Sequence, residues 1–530
     1  METLENNKTV TGFNALKAYW KSDLKSGFLV FLIALPLCLG IAKASGFPPA
    51  MGVLTAMVGG IFSSFFNVSA LSIKGPAAGL ITICAASVIE FGGGEQGWKV
   101  TCAVIVVMAI LQVLFGLLKF GKLSDFFPHS AVHGMLAAIG VIIIAKQIPV
   151  LLGDDPSIYK GEKPLELLMD IPRFIEFAHW HIALIGILGL AILFTLPMIK
   201  LKIFKTIPAS LIVLVLAIPL ALMMHFKQTE PAYSLVEIGD FWGSVGFNAD
   251  FSVMGTFAFW KYVVMFLFVS TLESLLTVKA VDGLDPRKRS SSYDGDVIGQ
   301  GVGNTVSGFF GGLPMISEVV RSSANIGFGA ISKWSNFFHG MFLLIAMIFM
   351  IPVIEMIPNA ALAAMLIFAG YRLAAPKEFI HTYKIGKEQL AIFLVTLIIT
   401  LVEDLLLGIA AGIIVKFVFH LINGASLGGL FKAKYEREEN ENEVILHVKD
   451  SAVFSNLIAY KKVIKFFVED KKLVLDFSEA RLVDHSFMAF ASHYKRELET
   501  QGKFLEISGL DHHKKLSDHP LATRINRKKK

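Results

Sequence analysis

Apolar residues occur in runs of roughly twenty between residues 26 and 423, separated by short polar segments. A helix needs a run of about that length to cross the hydrocarbon core of a bilayer. The pattern predicts an α-helical polytopic membrane protein with fourteen spans, at 26–43, 49–66, 71–89, 98–119, 129–151, 181–199, 207–225, 258–279, 294–311, 313–329, 335–354, 359–374, 388–403 and 406–423. The third and tenth spans are short and are broken by glycine and proline.

The short loops indicate the orientation of these spans. With a cytoplasmic N-terminus, the inner loops contain a set of basic residues: Lys119, Lys122, Lys200, Lys202, Lys205, Lys279, Arg287, Lys288, Arg289, Arg372, Lys377, Lys384 and Lys387. This distribution follows the positive-inside rule and predicts a plasma (inner) membrane protein with both termini in the cytoplasm. Fourteen spans divide into two sets of seven, so the second set is inverted and span three corresponds to span ten.

The composition changes after the last span. The sequence divides into a cytoplasmic segment at 1–25, a transmembrane domain at 26–423 and a linker at 424–442. The linker predicts a C-terminal domain that is attached separately. That domain, at 443–515, alternates expected strands with expected helices and is typical of a small α/β fold. Its strands are expected at 443–448, 472–477 and 503–507, and its helices near 453–467 and 485–500. A basic tail at 516–530 follows the domain.

Composition excludes several function classes. The chain of 530 residues is 54% hydrophobic and 17% charged, which is too apolar for a soluble protein. Its net charge of +6 comes from scattered loop residues and one tail, so no nucleic-acid partner is expected. All three cysteines lie in apolar runs, which gives no disulfide framework and no structural metal site. Without a nucleophile elbow or phosphate loop, the sequence does not support an enzyme.

The broken spans contain the candidate binding site. Arg321 is a cation at membrane depth, where charge is costly and usually marks a substrate path. The N-termini of interrupted helices direct free N–H groups and a positive dipole end toward anions. Residues expected to contact a small inorganic anion are Lys74, Gly75, Pro76, Ala77, Ala78, Glu318, Val320, Arg321 and Ser322.

A coupling site is expected in span eight. Glu273 lies deep in this span, where a permanent negative charge is expensive, and Thr277 lies one helical turn later. We expect Glu273, Thr277 and Ser317 to bind the coupling ion, and the sequence leaves Na⁺ and H⁺ equally open. No other cofactor is expected.

Over residues 18–515 the chain resembles the SulP family of inorganic-anion transporters. The motifs that carry the resemblance are Leu35-Pro36, Gly75-Pro76, Thr271-Leu272-Glu273-Ser274, Gly312-Leu313-Pro314, Arg321-Ser322-Ser323-Ala324-Asn325 and Pro358-Asn359-Ala360-Ala361-Leu362-Ala363-Ala364. The resemblance implies two inverted seven-span repeats arranged as core and gate domains, and an anion between spans three and ten. It also implies elevator-type transport of bicarbonate or sulfate, commonly by a homodimer. The C-terminal domain resembles STAS domains, which implies a cytoplasmic protein partner.

The chain departs from the family pattern in two places, the pair of Lys74 and Glu318 and the C-terminal domain. Lys74 and Glu318 replace small or polar residues, so they form a charge-compensated pair or Lys74 snorkels to the cytoplasmic surface. Asp294, Asp296 and Asn304 are expected to be capping and packing groups. The C-terminal domain has Asp484-His485-Ser486 where antagonist proteins have Asp-Ser-Ser, which argues against a phosphoserine switch. Alternative functions are a nucleobase permease of the same fold and a membrane-anchored STAS scaffold with vestigial transport.

Overall fold

The computed structural model describes residues 12–526 except 67, 122–127, 156–157, 160–161, 200–206, 288, 290, 404, 441–442, 468–471 and 501–502. The chain divides into two compact units. One unit comprises Met1–Gly121 and Ile139–Arg372, and the other comprises Lys122–Ala138 and Leu373–Lys530. Of the basic residues that indicated the orientation, Lys122, Lys200, Lys202, Lys205 and Lys288 lie outside the described residues.

Helices, most of them apolar, dominate the described part of the chain up to residue 431, because helices satisfy their own backbone hydrogen bonds without water. In chain order they are α1 (Gly12–Ala44), α2 (Pro49–Ile61), α3 (Ile81–Glu90), α4 (Gly94–Leu117), α5 (His129–Leu152), α6 (Pro164–Met169), α7 (Ile171–Glu176), α8 (Trp180–Thr195), α9 (Ala209–Met223), α10 (Phe226–Thr229), α11 (Phe241–Ser244), α12 (Phe257–Leu284), α13 (Tyr293–Phe309), α14 (Val319–Gly327), α15 (Trp334–Phe349), α16 (Ile351–Ile354), α17 (Asn359–Leu373), α18 (Pro376–Ile385), α19 (Lys387–Val402), α20 (Leu405–Ile422) and α21 (Leu427–Phe431).

These helices match the expected spans in position. Each of the fourteen expected segments contains at least one helix. Within the described residues, six helical segments have the length and hydropathy of a membrane span, and five apolar helices are shorter. The chain is therefore a multi-pass membrane protein, and the crossing of all fourteen segments stays a prediction.

The two broken spans each begin with extended backbone. Strand β1 (Lys74–Pro76) and a 3₁₀ turn at Ala78–Leu80 precede α3, and strand β2 (Met315–Ser317) precedes α14. Proline disfavours helical backbone at the residue before it, which explains the extended conformation near Pro76 and Pro314. The sequence predicted the interruptions but not the strands.

The C-terminal domain has the predicted α/β character. Its elements are β3 (Tyr435–Glu439), β4 (Glu443–Val448), β5 (Asp450–Ala452), α22 (Leu457–Phe467), β6 (Lys472–Asp476), β7 (Ala480–Val483), α23 (His485–Thr500), β8 (Leu505–Ser508), β9 (Lys514–Lys515) and β10 (Arg524–Ile525). They form two four-stranded sheets, ordered β3-β4-β6-β8 and β5-β7-β10-β9. In β4, Val444, Leu446 and Val448 alternate into the core, as a half-buried strand requires.

Two expected boundaries were wrong. The segment 424–442 is not a linker, because it contains α21 and β3, and β3 pairs antiparallel with β4. The expected tail from residue 516 belongs to the domain as far as 526, because β10 pairs with β7; residues 527–530 lie outside the described residues. Helix α1 begins at Gly12, within the segment expected to precede the first span, and the buried Asp23 carboxylate accepts hydrogen bonds from the Ile331 and Ser332 N–H groups.

The C-terminal domain is also fastened to the last apolar helix of its own unit. Lys416 of α20 is buried, and its Nζ lies 3.0 Å from Oδ2 of Asp484 and 2.8 Å from Oγ of Ser486. His420 Nε2 lies 3.4 Å from the same Asp484 oxygen. Burial alone would raise the pKa of Asp484, but the charge of Lys416 and the hydrogen bonds hold this pKa well below its usual range. The expectation of a separately attached domain was therefore wrong.

Candidate functional site

The two broken spans meet at their extended segments, as the sequence predicted. Strands β1 and β2 pair antiparallel, with Lys74 opposite Ser317 and Pro76 opposite Met315. The Glu318 N–H extends this pairing by donating to the Ile73 carbonyl over 3.0 Å. We call the paired segments 73–80 and 315–322 the crossing. Because both half-helices start there, their N-terminal ends lie at one place in the molecule.

Arg321 is fully buried at the crossing. Its Nη2 donates to the Pro76 carbonyl over 3.1 Å, whereas Nε and Nη1 have no hydrogen-bond partner among the described residues. A side chain at Gly75 would overlap Nη1, so the glycine makes room for the guanidinium. Leaving buried donors unsatisfied costs about 1–3 kcal/mol or more for a charged group, and an anion is the partner that removes this cost.

Lys74 is buried and paired with a different residue from the one expected. Its Nζ lies 2.5 Å from Oδ2 of Asp296 and 2.7 Å from Oγ of Ser317, and neither charged side chain is exposed. The expectation that Lys74 snorkels to the cytoplasmic surface is therefore wrong, and Asp296 rather than Glu318 compensates the charge of Lys74. Asp296 also accepts a hydrogen bond from the Ser69 N–H, so it joins α13 to the segment before β1 in addition to the expected capping and packing role.

Glu318 caps α14. Its Oε2 accepts a hydrogen bond from the Arg321 N–H over 2.9 Å, and the side chain is partly exposed. Among the described residues no side chain caps the turn that begins after Ala77, so the half-helix of span three presents its first N–H groups uncapped. Ser322 Oγ accepts from the Ile73 N–H over 2.9 Å, so this hydroxyl already joins the two segments. Val320 and Ala78 are partly exposed at the crossing.

Glu273 of α12 lies against the start of the span-three half-helix. A side chain at Gly79 would overlap both oxygens of the Glu273 carboxylate, and Oε2 is buried without a partner in the described part of the chain. Thr277, one turn later on α12, is buried. Ser317, the third expected ion ligand, instead accepts from the Lys74 ammonium, which would repel a cation there.

A buried polar face of α13 was not identified from the sequence as one functional unit. Asp296, Gln300 and Asn304 are spaced four residues apart, and all three are buried. Gln300 Nε2 donates to the Met315 carbonyl over 2.9 Å, while Asn304 Oδ1 accepts from the Met315 N–H over 2.6 Å. Polar residues at this spacing lie on one helix face, so the pattern was available in the sequence. The face holds β2 in place.

Comparisons with known proteins identify the family of the chain and its fold. The profile of the sulfate permease family matches residues 20–396. YvdB of Bacillus subtilis (strain 168), a relative named for sulfate transport, is 26% identical over 417 residues, covering 77% of this chain and 75% of its own. The transmembrane domain of a cyanobacterium bicarbonate transporter, BicA, superposes with a TM-score of 0.64 at 22% identity, covering 74% of this chain and 97% of that domain. SLC26A9 superposes with a TM-score of 0.66 at 14% identity, covering 93% and 85%.

Proposed function

The chain belongs to the sulfate permease family, and from this premise we propose that it is a secondary active transporter of a small inorganic anion, bicarbonate or sulfate. Relatives named for transport rather than for enzymatic activity are consistent with a protein that is not an enzyme. The observation that carries the proposal is the fully buried Arg321 guanidinium, whose Nε and Nη1 lack partners among the described residues.

The proposed anion site lies at the crossing. Arg321 supplies charge and directed donors, and the uncapped turn Ala78–Leu80 supplies backbone N–H groups. Such fixed donors replace the water shell that a small oxyanion loses on binding. Gly75 and Pro76 contribute shape: the glycine admits the guanidinium, and the Pro76 carbonyl anchors Nη2. Lys74 does not contact the anion in this proposal; it stabilises β1 and β2 through its ion pair with Asp296 and its hydrogen bond to Ser317.

The proposed coupling group is Glu273. Its buried Oε2, which has no partner among the described residues, is suited to a proton or a Na⁺ ion. Either one neutralises the carboxylate and so removes the free-energy cost of a negative charge at this depth. Contact with Gly79 links this carboxylate to the half-helix that presents the anion donors. Thr277 remains the proposed second ligand, whereas Ser317 is already engaged by Lys74.

The wider mechanism follows from the family. We propose fourteen spans in two inverted repeats that form core and gate domains, elevator-like movement of the crossing, and a homodimer in the inner membrane. Both termini are proposed to be cytoplasmic. The C-terminal domain is proposed to be a STAS domain that binds a cytoplasmic protein partner. The breaks at corresponding spans support the repeat assignment.

The test is uptake of labelled bicarbonate, sulfate and uracil into proteoliposomes with imposed Na⁺ or H⁺ gradients. We expect saturable uptake of an inorganic anion, and at least tenfold weaker affinity in Arg321→Ala, since a charge-assisted contact contributes about 1.5–3 kcal/mol. Lys99→Ala is the matched control, because it removes an exposed cation. Unchanged affinity in Arg321→Ala would remove Arg321 from the site.

The same assay separates the alternatives. Uptake of uracil without any inorganic anion would establish the nucleobase permease. The STAS scaffold is tested in cells instead: it predicts that deleting residues 440–530 abolishes a cellular phenotype while Arg321→Ala leaves that phenotype intact. A flux that neither saturates nor exchanges would indicate a leak rather than a transporter.

A further inference from the structure

The positive groups at the crossing are unequally compensated. Lys74 is neutralised by Asp296 at 2.5 Å, and both side chains are buried. The N-terminal end of α14, which would otherwise attract an anion, is occupied by the chain's own carboxylate, since Glu318 Oε2 accepts from the Arg321 N–H. The Arg321 guanidinium donates to the uncharged Pro76 carbonyl, its Nε and Nη1 have no hydrogen-bond partner, and no carboxylate forms a salt bridge with it among the described residues. One cation is thus left for the substrate.

From this arrangement we propose that Glu318 sets the charge selectivity of the transporter, restricting it to monovalent anions such as bicarbonate and excluding divalent anions such as sulfate. The inference rests on the proposed anion site. It goes further by assigning Glu318 to specificity: the residue is a built-in negative charge that acts on the substrate, not a ligand that binds it.

The physical reason is a difference in charge balance. A monovalent anion at Arg321 pairs with one buried cation and the uncapped N–H groups of the span-three half-helix. A divalent anion adds a second negative charge, which has no second free cation among the described residues of the crossing and lies near the Glu318 carboxylate at the start of the same helix as Arg321. Arg321 is shielded from solvent and Glu318 is only partly exposed, so water screens this repulsion incompletely, and we expect it to change affinity about tenfold or more.

Glu318→Gln tests the role of the charge. Glutamine keeps the length and the acceptor oxygen for the Arg321 N–H but removes the charge. We expect sulfate to compete with labelled bicarbonate uptake about tenfold or more better in Glu318→Gln than in the unaltered protein, at zero membrane potential and pH 8. Glu318→Asp is the matched control: it keeps the charge and a good capping residue, and should exclude sulfate as before.

The outcomes distinguish the inference from the proposed function. If Glu318→Gln excludes sulfate as strongly as the unaltered protein, while Arg321→Ala weakens bicarbonate binding, the role of Glu318 is overturned and the anion site stands. Arg321-dependent uptake of sulfate by the unaltered protein, with an affinity equal to that for bicarbonate, also overturns it. If Arg321→Ala changes the affinity of neither anion, the proposed site itself fails.

Discussion

The ammonium of Lys74 lies 2.5 Å from the carboxylate of Asp296, and both side chains are shielded from solvent. Lys74 belongs to β1 and Asp296 to the first turn of α13, so the pair fixes a broken span to a continuous helix. Ser317 of β2 accepts from the same ammonium over 2.7 Å. A single lysine therefore connects the two strands of the crossing to the helix that supports them.

Breaking this pair should destabilise the protein. An uncompensated buried charge costs about 3–5 kcal/mol, so Lys74→Met and Asp296→Asn should each lower the thermal unfolding midpoint in detergent. The double variant removes both charges, and the amide oxygen that Asp296→Asn introduces can still accept from the Ser69 N–H. The double variant should therefore lower the unfolding midpoint by less than the sum of the two single variants. Additive losses would show that the two residues do not interact.

Much of this architecture was predictable because its causes are local. Apolar runs of span length dictate helices, and Gly75-Pro76 and Pro314 dictate interruptions, so the helices and the meeting of the broken spans followed from the sequence. The alternation in Glu443–Val448 likewise predicted β4.

Partner identity was not predictable, because it depends on contacts between residues far apart in sequence. Lys74 and Asp296 are 222 residues apart, and nothing local distinguishes Asp296 from a helix cap. The charged, glycine-containing segment 424–442 resembled a linker, yet β3 is held there by pairing with β4. The polar face of α13 was a missed local signal, because its four-residue spacing is visible in the sequence.

The contact between Lys416 and Asp484 predicts that the C-terminal domain stabilises α20. Asp484→Asn removes the negative charge that pairs with Lys416 but keeps an acceptor for the Phe487 N–H. We expect a loss of about 3–5 kcal/mol, seen as a lower unfolding midpoint. Asp511→Asn, a charge change at an exposed position of the domain, is the control. Equal midpoints for the two variants would contradict this role of the ion pair.

His485 should make the C-terminal domain sensitive to acid. Burial lowers the pKa of His485 to about 4, although its Nδ1 lies 2.8 Å from the Leu521 carbonyl. Below pH 6.5 the unfolded chain binds a proton that the folded domain resists, so stability falls as the pH drops from 6.5 toward 4. The loss should reach about 2 kcal/mol at pH 5.

The measurement is the unfolding midpoint at pH 7.5, 6 and 5 for the unaltered protein and His485→Gln. The variant should lose less stability between pH 7.5 and pH 5, because glutamine does not titrate. His447 acts in the opposite direction, since its hydrogen bond to Asp476 raises its pKa, and it is unchanged in both proteins. Parallel pH profiles would show that His485 does not contribute.

The close approach of Glu273 to Gly79 predicts that even one methyl group there disturbs coupling. In Gly79→Ala the new Cβ would overlap the carboxylate, so gradient-driven uptake should fall more than about tenfold. Shortening the acid in Gly79→Ala with Glu273→Asp should restore part of it. Gly255→Ala is the control, because a Cβ there meets nothing within 4 Å. Unimpaired uptake by Gly79→Ala would place the carboxylate elsewhere.

Glu273→Gln should uncouple transport from its driving ion while sparing anion binding. Glutamine keeps the shape of the side chain but neither titrates nor balances Na⁺, so an imposed gradient loses its point of action. Exchange of anion for anion should continue, because Arg321 and the uncapped turn Ala78–Leu80 are unchanged. Measuring both modes in the same vesicles separates coupling from binding. If Glu273→Gln still concentrates the anion as well as the unaltered protein does, under the same Na⁺ and H⁺ gradients, Glu273 is not the coupling group.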